Sequence, residues 1–250
     1  MIKISIIMAT YNREHCISGA LDSIKKQSFQ DYELVVIDGK SSDKTLDIVE
    51  SYNFKNIVII SEKDNGIYDA LNKGIKLSNG EVVGVLHSDD FFANNDVLKN
   101  IHDLIKKNDI HYVYGNLQYV SNTNSKKVVR TWISSNFHKK SLFHGWMPPH
   151  PTLFIKRDVL DEIGMYDQEY QISADYDFIL RLFNQESYKG LFLNKIIIKM
   201  MVGGESNKNI FKIFKKSYED YKIIKKHKIG GFYTLLSKNL TKINQFFIVK

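Results

Sequence analysis

Two adjacent carboxylates, Asp89 and Asp90, follow Ser88 where an apolar segment of the sequence ends. Carboxylate oxygens suit Mg²⁺ or Mn²⁺, which proteins commonly hold through one or two carboxylates while substrate phosphates complete the coordination shell. The same residue types also suit a turn or a helix cap. By itself the pattern therefore leaves both a phosphate-bound cation and a simple turn open.

Polar residues also follow two earlier apolar segments: residues 10–12 come after the first, and Asp38 ends the second. Ligands of parallel α/β sheets bind beyond the carboxyl ends of the strands. We therefore expect the three polar clusters to meet in one crevice.

The first half of the chain alternates strand-like apolar segments with segments of helical spacing. This alternation is typical of βαβ units and predicts an α/β fold with a mostly parallel sheet flanked by helices. The predicted strands are residues 2–8, 32–37, 57–60 and 81–86, and the predicted helices are residues 14–27, 42–52 and 67–77.

The second half is less regular, and residues 137–150 are predicted to form a loop. No linker or internal repeat interrupts it, which predicts one domain of about 205 residues followed by a helical tail. The predicted strands are residues 112–114, 118–120, 128–133 and 152–155, with one or two more in residues 191–201, and the predicted helices are residues 157–163 and 174–183.

Composition excludes several classes of protein. The 250 residues are 43% hydrophobic and 25% charged, which permits a packed core and excludes general disorder. The single cysteine, Cys16, excludes an internal disulfide and fits a reducing compartment. The apolar run at the N-terminus is too short for a signal peptide, and no apolar stretch reaches the roughly 18 residues that span a membrane.

Several nucleotide and metal motifs are absent. No Gly-x-Gly-x-x-Gly follows the first strand and no phosphate-binding Gly-Lys-Ser/Thr occurs, which weighs against dehydrogenases and ATPases. His138, His144 and His150 are spaced six residues apart, which is not a zinc-binding pattern.

The formal net charge of +7 comes from the C-terminal segment, since residues 207–250 hold eleven lysines against two acidic residues. Apolar residues with helical spacing interleave with these lysines. Such a segment suits an amphipathic helix on an anionic membrane surface, or equally a surface helix docked on the domain. A nucleic-acid partner is disfavoured, because the rest of the chain is not basic. The apolar residues are Ile210, Phe211, Phe214, Tyr218, Tyr221 and Ile224.

Five blocks of sequence, in this order and spacing, resemble the inverting family 2 glycosyltransferases with the GT-A fold. Among them, Asp-Asn-Gly-Ile-Tyr-Asp-Ala-Leu-Asn-Lys-Gly is similar to bacterial enzymes that build surface polysaccharides, including those of the colanic-acid, O-antigen and capsule type. The resemblance implies a GT-A domain over residues 1–206, with a nucleotide-sugar-binding half (1–115) and an acceptor-binding half (116–206). The blocks are residues 4–15, 33–45, 64–74, 80–90 and 150–181.

The resemblance implies a site for the nucleotide base after the first strand. Tyr11 would stack on uracil beside Thr10, and Asp38 would hydrogen-bond the base. Many relatives carry Asp-Asp where this chain has Asp38-Gly39, so guanine stays open beside uracil. Further nucleotide-binding residues implied along the donor are Asp64, Tyr68, Lys73 and Asp89; for Lys73, a position facing solvent fits equally well.

Ser88-Asp89-Asp90 occupies the place of the family's Asp-x-Asp motif, with Ser88 in place of the first aspartate. The resemblance implies that Asp90 binds Mn²⁺ or Mg²⁺, with Asp89 near the ribose or a metal-bound water. In some family members a C-terminal histidine completes the metal shell. Residues 203–206 contain no histidine, so we assign no third ligand.

Asp175 matches the catalytic base of the family, the group that takes a proton from the acceptor hydroxyl. Without the resemblance, Asp175 is explained as an acid at a helix N-terminus, where it is favourable to the helix dipole. Asp177 lies two positions on and cannot share a helix face with Asp175, so at most one of them acts directly. The acceptor side is assigned to Trp146, His150 and Arg181.

Together these features predict a metal-dependent inverting glycosyltransferase of bacterial surface polysaccharide biosynthesis. It would move a sugar from a nucleotide sugar, with UDP first, to a hydroxyl of a lipid-linked saccharide at the inner face of the cytoplasmic membrane. The tail would contact the anionic membrane or form a homodimer. The alternatives are a sugar nucleotidyltransferase, whose Gly-rich arginine loop is missing, a glycoside hydrolase, and a non-catalytic nucleotide-binding or membrane-surface scaffold.

Overall fold

The first half of the protein alternates strands with helices, as the apolar pattern predicts. A computed structural model describes residues 3–122, 125, 127–202 and 210–244, except the side chains of residues 210 and 242–244. The elements are β1 (Ile4–Thr10), α1 (Ile17–Lys25), β2 (Tyr32–Asp38), α2 (Thr45–Ser51), β3 (Ile57–Ser61), α3 (Ile67–Leu77) and β4 (Val82–Val85).

These four strands are parallel and lie side by side in the order β3-β2-β1-β4. In their register Thr10 lies opposite Asp38, and Asp38 lies opposite Ser61. The polar residues that end β1, β2 and β3 therefore share one edge of the sheet.

The second half extends the same sheet with antiparallel and parallel pairs. Strand β8 is antiparallel to β4 and β6, β9 is parallel to β6, and β5 and β7 are antiparallel to β9 and β6 respectively. The predicted loop contains two 3₁₀ helices, Lys139–His144 and His150–Thr152. The elements are β5 (Asp90–Phe92), α4 (Val97–Lys107), β6 (Tyr112–Val120), β7 (Val128–Trp132), β8 (Phe154–Lys156), α5 (Arg157–Ile163), α6 (Ala174–Phe183) and β9 (Gly190–Met201).

The prediction of two short strands at residues 112–114 and 118–120 is wrong, because β6 runs through both without a break. Gly115 and Asn116, which separate the two apolar segments, lie where the register between β6 and β9 shifts. A Cβ on Gly115 would lie 2.3 Å from the Cδ1 atom of Ile197. Glycine therefore marks a close approach inside the sheet and not the end of a strand.

Both faces of the sheet are covered, which explains why β1 and β2 are apolar along almost their whole length. Ile4, Ile6 and Met8 pack with residues of α1 and α4 on one face. Ile7 packs with residues of α3 and α6 on the other. The sheet thus lies between two helical layers, with the polar residues at the carboxyl ends of its strands outside both hydrophobic clusters.

Two C-terminal helices, α7 (Ile210–Lys226) and α8 (Phe232–Asn244), form the described part of the predicted tail. Ile223 and Ile224 are buried in the same cluster as Ile7 of the central sheet, so α7 packs on the body. The predicted apolar face is thus divided, with Ile224 inside the core. The predicted boundary at residue 206 lies outside the described residues. The exposed residues of that face are Phe211, Phe214, Tyr218 and Tyr221.

Asp177, in the first turn of α6, joins α6 to α7. Its buried carboxylate lies 2.8 Å from Arg181 Nε, 2.9 Å from His227 Nε2 and 3.2 Å from Lys226 Nζ. Burial opposes ionisation, but the hydrogen bonds from His227 and Arg181 and the charges of Arg181 and Lys226 hold the pKa of Asp177 far below its usual range. Asp177 therefore has a structural role.

Asp177→Asn should lower the free energy of unfolding at pH 7 by about 3 kcal/mol, because it removes the buried carboxylate that Arg181, His227 and Lys226 share. The depressed pKa means that the contribution is present above the unfolded-state value of about 4 and is lost as the pH falls below it. Urea unfolding of wild type and variant at pH 7 and about pH 3 measures this. The difference between the two proteins should shrink at the lower pH, and an equal difference at both would contradict the assignment.

Candidate active site

The residues predicted to hold the nucleotide base lie together at the carboxyl ends of β1 and β2. The main-chain N–H of Gly39 donates to the carbonyl of Thr10 at 2.8 Å, which ties the two strand ends together. Tyr11 is 57% exposed. The buried hydroxyl of Thr10 has no hydrogen-bond partner among the described residues. An exposed aromatic ring at the end of a strand can stack on a planar ring of a ligand.

Asp38 is fully buried, and it organises the loop that follows β2. Its carboxylate accepts hydrogen bonds from the Ser61 hydroxyl at 2.6 Å, from the main-chain N–H of Ser41 at 2.9 Å, and from the Ser41 hydroxyl. These bonds fix the edge of the crevice. A direct contact between Asp38 and a base stays a prediction.

Gly39 lets Tyr11 and Asp64 come close to the end of β2. A Cβ at this position would lie 2.8 Å from Asp64 Oδ2 and 3.3 Å from Tyr11 Cδ2. Glycine replaces the second aspartate of the Asp-Asp pair at this position. The space that its side chain would occupy is filled by the Asp64 carboxylate, from the loop after β3.

Gly39→Ala should weaken nucleotide binding with little change in melting temperature. The added methyl group would push away the Asp64 carboxylate and the Tyr11 ring, both of which can move without disturbing the core. Calorimetric titration with UDP measures the effect, which we expect to be about tenfold in Kd. Gly19→Ala is a suitable control, because a Cβ there meets nothing within 4 Å. Unchanged UDP affinity in Gly39→Ala would contradict this placement of the base.

Lys73 lies in a network of carboxylates. Its Nζ atom lies 2.7 Å from Glu62 and 3.3 Å from Asp69, and it donates to the carbonyl of Lys63 at 3.3 Å. Two anions therefore already neutralise this ammonium group. A contact between Lys73 and a donor phosphate stays a prediction.

Asp89 and Asp90 follow β4 and differ in exposure. Asp90 is fully buried, and neither carboxylate oxygen has a hydrogen-bond partner of normal geometry among the described residues. Burial raises the pKa of Asp90 well above its ordinary value, and the negative charge of Asp89 adds to this, while the main-chain amide of Met201 opposes it. Asp89 is only half-buried. An ionised carboxylate is costly to bury, so this position favours a proton or a nearby cation.

Asp89 and Asp90 could contribute oxygen ligands to a divalent cation, and a metal site here stays a prediction. Among the residues that the structure describes, no group of three or more His, Cys, Asp or Glu side chains could hold a metal ion. Mg²⁺ and Mn²⁺ are commonly held by one or two carboxylates with substrate phosphates. The segment 203–206, considered for a third ligand, lies outside the described residues.

Asp175 lies in the first turn of α6, and its side chain reaches Tyr68 of α3. Asp175 Oδ1 accepts the N–H of Tyr176 at 2.9 Å and lies 3.3 Å from the Tyr68 hydroxyl, which donates to the carbonyl of Ile172 at 2.7 Å. Burial raises the pKa of Tyr68, and the charge of Asp175 adds to this. Tyr68 therefore remains a neutral hydrogen-bond donor beside the predicted base.

Two histidines and a tyrosine lie near enough to Asp175 to interact with its charge, and one of them, His87, also interacts with the charge of Asp89. His150 Nε2 lies 2.6 Å from the Tyr166 hydroxyl, and the rings of His150 and His87 are 6.4 Å apart. Burial lowers the pKa of His150 to about 4, and burial also lowers the pKa of His87 although Asp89 and Asp175 oppose it. Both imidazoles are therefore neutral near pH 7. The predicted site residues omit His87 and Tyr166, although His87 directly precedes Ser88.

Trp146 and Arg181, assigned to the acceptor side, have other partners here. Trp146 packs edge-on against Tyr114 and Phe183 and donates through Nε1 to Ser135 Oγ at 3.1 Å. Arg181 donates to Asp177 and to the carbonyls of residues 163–165, which end α5. Both side chains are partly exposed, and a contact between either of them and the acceptor stays a prediction.

Residues 5–189 match the protein family described as "Glycosyl transferase family 2". A "PGL/p-HBAD biosynthesis glycosyltransferase" of Mycobacterium bovis is 30% identical over 217 residues, covering 85% of this chain and 82% of the relative. Escherichia coli WfgD, "UDP-Glc:alpha-D-GlcNAc-diphosphoundecaprenol beta-1,3-glucosyltransferase", is 34% identical over 120 residues, covering 48% of this chain and 47% of WfgD.

Among solved structures, S. aureus TarS residues 1–349 in complex with UDP-GlcNAc superposes with a TM-score of 0.72 at 21% identity. The superposition covers 98% of this chain and 73% of the TarS fragment. The likeness extends over both the parallel first half and the mixed second half of the sheet.

Proposed function

Because the chain belongs to glycosyl transferase family 2, we propose that it transfers a sugar from a UDP-sugar, with inversion, to a hydroxyl group of a lipid-linked saccharide. The chain is a glycosyltransferase with the GT-A fold. The observation that carries the proposal is the geometry of one crevice edge. Asp175 there contacts Tyr68, and His87 lies near enough to both Asp175 and Asp89 to interact with the charges of both.

The donor side supports UDP as the nucleotide. Tyr11 is exposed for stacking, with the Thr10 hydroxyl unpaired beside it and Asp64 close to Gly39. The printed names of TarS and WfgD associate these similar proteins with UDP-GlcNAc and UDP-Glc respectively. We therefore propose a UDP-sugar as the donor of this chain and do not specify the sugar.

Asp89 and Asp90 would hold Mn²⁺ or Mg²⁺ together with the donor diphosphate. When bound, the cation supplies positive charge where the leaving nucleotide accumulates negative charge. The carboxylates' own part is to position that charge, and the half-exposed Asp89 is the more accessible of the two.

Asp175 would act as the general base. The acceptor oxygen forms a bond to the anomeric carbon, the bond from that carbon to the diphosphate oxygen breaks, and the acceptor proton passes to Asp175. UDP leaves with the electron pair of the broken bond. Tyr68 donates its hydrogen bond nearby and keeps the carboxylate oriented.

The acceptor is proposed to be a saccharide on a polyprenyl diphosphate, in bacterial surface polysaccharide biosynthesis at the inner face of the cytoplasmic membrane. WfgD carries such an acceptor in its name. Among the described residues, no helix has the length and apolar character needed to cross a membrane. The test is UDP release from a panel of UDP-sugars with and without a polyprenyl-diphosphate-linked GlcNAc. Release that never depends on an acceptor would overturn the proposed transfer.

The outer face of α7 is proposed to rest on the anionic membrane surface. Phe211, Phe214 and Tyr218 are exposed by 77%, 71% and 60%, and exposed lysines flank them. Lys222 Nζ lies 4.9 Å from the centroid of the Tyr218 ring. Aromatic rings with flanking cations suit the interface of an anionic bilayer.

Replacing Phe211, Phe214 and Tyr218 with serine should lower binding to phosphatidylglycerol-containing vesicles by about tenfold or more, since binding scales with buried apolar area. Co-sedimentation measures this against neutral phosphatidylcholine vesicles. The matched control replaces three exposed apolar residues elsewhere, Leu77, Val129 and Ile133, and should bind as wild type does. Unchanged vesicle binding of the aromatic variant, combined with loss of a dimer in light scattering, would show that this face is a homodimer contact instead.

A further inference from the structure

Glu219 of α7 is a buried acid whose carboxylate binds a stretch of main chain. It is 5% exposed, and its oxygens accept the N–H groups of Gln171 at 3.2 Å, Ile172 at 2.9 Å and Ser173 at 2.9 Å. Three consecutive amides directed at one carboxylate form an anion-binding concavity in which an ionised group replaces water. Helix α7 therefore fixes the conformation of residues 171–173.

This stretch leads directly into the predicted base. The carbonyl of Ser173 accepts the N–H groups of Tyr176 and Asp177 in the first turn of α6. The Ser173 hydroxyl has no hydrogen-bond partner among the described residues, so it does not cap the helix as serine usually does. The start of the helix that carries Asp175 is held from α7 instead.

The peptide groups around Ile172 are held from two sides. Glu219 accepts the N–H of Ile172, and the Tyr68 hydroxyl donates to its carbonyl while lying 3.3 Å from Asp175 Oδ1. A shift of this segment would move both the backbone that carries Asp175 and the hydroxyl that contacts its carboxylate. The position of Asp175 thus depends on a carboxylate more than forty residues away in the sequence.

We propose that Glu219 is a positioning residue for the transfer reaction: by binding the amides of residues 171–173 it places Asp175 against the acceptor hydroxyl. This rests on the proposed function, in which Asp175 is the base. Helix α7 thereby contributes to catalysis through Glu219, in addition to presenting its exposed outer face.

Glu219→Gln keeps the shape of the side chain but removes the charge and turns an amide NH₂ toward main-chain donors. We expect kcat to fall by about tenfold to hundredfold, since small displacements of a catalytic group have effects of this size. The KM for the UDP-sugar and the Kd for UDP should change by less than about twofold, because the donor side is untouched. Glu219→Asp keeps the charge but shortens the side chain, and it should also lower kcat. This second variant tests the proposal if Glu219→Gln does not fold.

The control is Asp220→Asn, the next residue of α7, whose buried carboxylate pairs with Lys238 at 2.7 Å. It should lower the melting temperature, and kcat measured well below that temperature should stay at the wild-type value. A wild-type kcat in folded Glu219→Gln or Glu219→Asp, or an equal loss in Asp220→Asn, would overturn the proposal.

A double-mutant cycle with Asp175→Asn separates positioning from a general structural effect. If Glu219 acts through Asp175, then Glu219→Gln should cause no further loss of single-turnover rate once Asp175 is asparagine. Independent, multiplicative losses would overturn the positioning role. If Asp175→Asn retains its rate, the assignment of the base fails, and the effect of Glu219→Gln alone then shows whether α7 influences turnover by another route.

Discussion

Asp175→Asn should lower kcat by about a thousandfold, because a positioned general base contributes in this range. The asparagine keeps the hydrogen bond from the Tyr176 N–H but cannot take up the acceptor proton. UDP affinity should stay at the wild-type value, since the contacts of Asp175 are to α6 and Tyr68 and not to the base-binding edge. Steady-state transfer and calorimetric titration with UDP measure the two quantities.

Asp177→Asn is the natural control, since it lies in the same helical turn but is buried among Arg181, Lys226 and His227. Measured well below its melting temperature, it should keep kcat close to wild type. Substantial turnover in Asp175→Asn would remove Asp175 as the base. Comparable loss in both variants would indicate damage to α6 and not loss of proton transfer.

The second large effect is expected at the carboxylate pair. Asp90→Asn should abolish stimulation of transfer by Mn²⁺ and lower kcat by about a hundredfold or more, since it removes a charge that helps to hold the cation. At the same time it should raise the melting temperature of the metal-free protein, because it replaces a fully buried carboxyl, for which burial opposes ionisation, with a neutral group.

The pH dependence of this stabilisation has a definite sign. Burial raises the pKa of Asp90, so between the unfolded-state value of about 4 and the raised folded value the folded protein keeps a proton that the unfolded chain loses, and wild-type stability falls as the pH rises through this range. The advantage of Asp90→Asn should therefore grow with pH in metal-free thermal unfolding. Asp89→Asn should also lose Mn²⁺ stimulation but leave the metal-free melting temperature almost unchanged, as its side chain is only half-buried. Mn²⁺-stimulated transfer in both variants would contradict the metal site.

The strand ends are the part of the site that the sequence predicts best. Apolar periodicity is a local property, so it locates where β1, β2 and β4 end and hence that Thr10, Asp38 and Asp89 lie at one edge of the sheet. Helix α4 is absent from the predicted elements, although Val97 and Ile101 have helical spacing and the sequence therefore contains a signal for this helix.

Contacts between distant segments are what the sequence could not predict. In this fold Arg181 donates hydrogen bonds to main-chain carbonyls that follow α5. An arginine that binds substrate would look the same in the sequence. Glu219 is one of two acids in a basic segment, and only the fold brings it to the amides of residues 171–173. His87 lies beside His150, which is 63 positions away in the chain, and only the fold brings the two rings together.

The central claim, a metal-dependent UDP-sugar site, is tested most directly by thermal unfolding of the wild-type protein with UDP, GDP or CMP, each with and without Mn²⁺. A ligand that binds only the folded state raises the melting temperature according to its occupancy. We predict that UDP with Mn²⁺ gives the largest increase and that UDP without Mn²⁺ gives little. A larger increase with GDP or CMP, or an increase with UDP that is independent of Mn²⁺, would contradict the account.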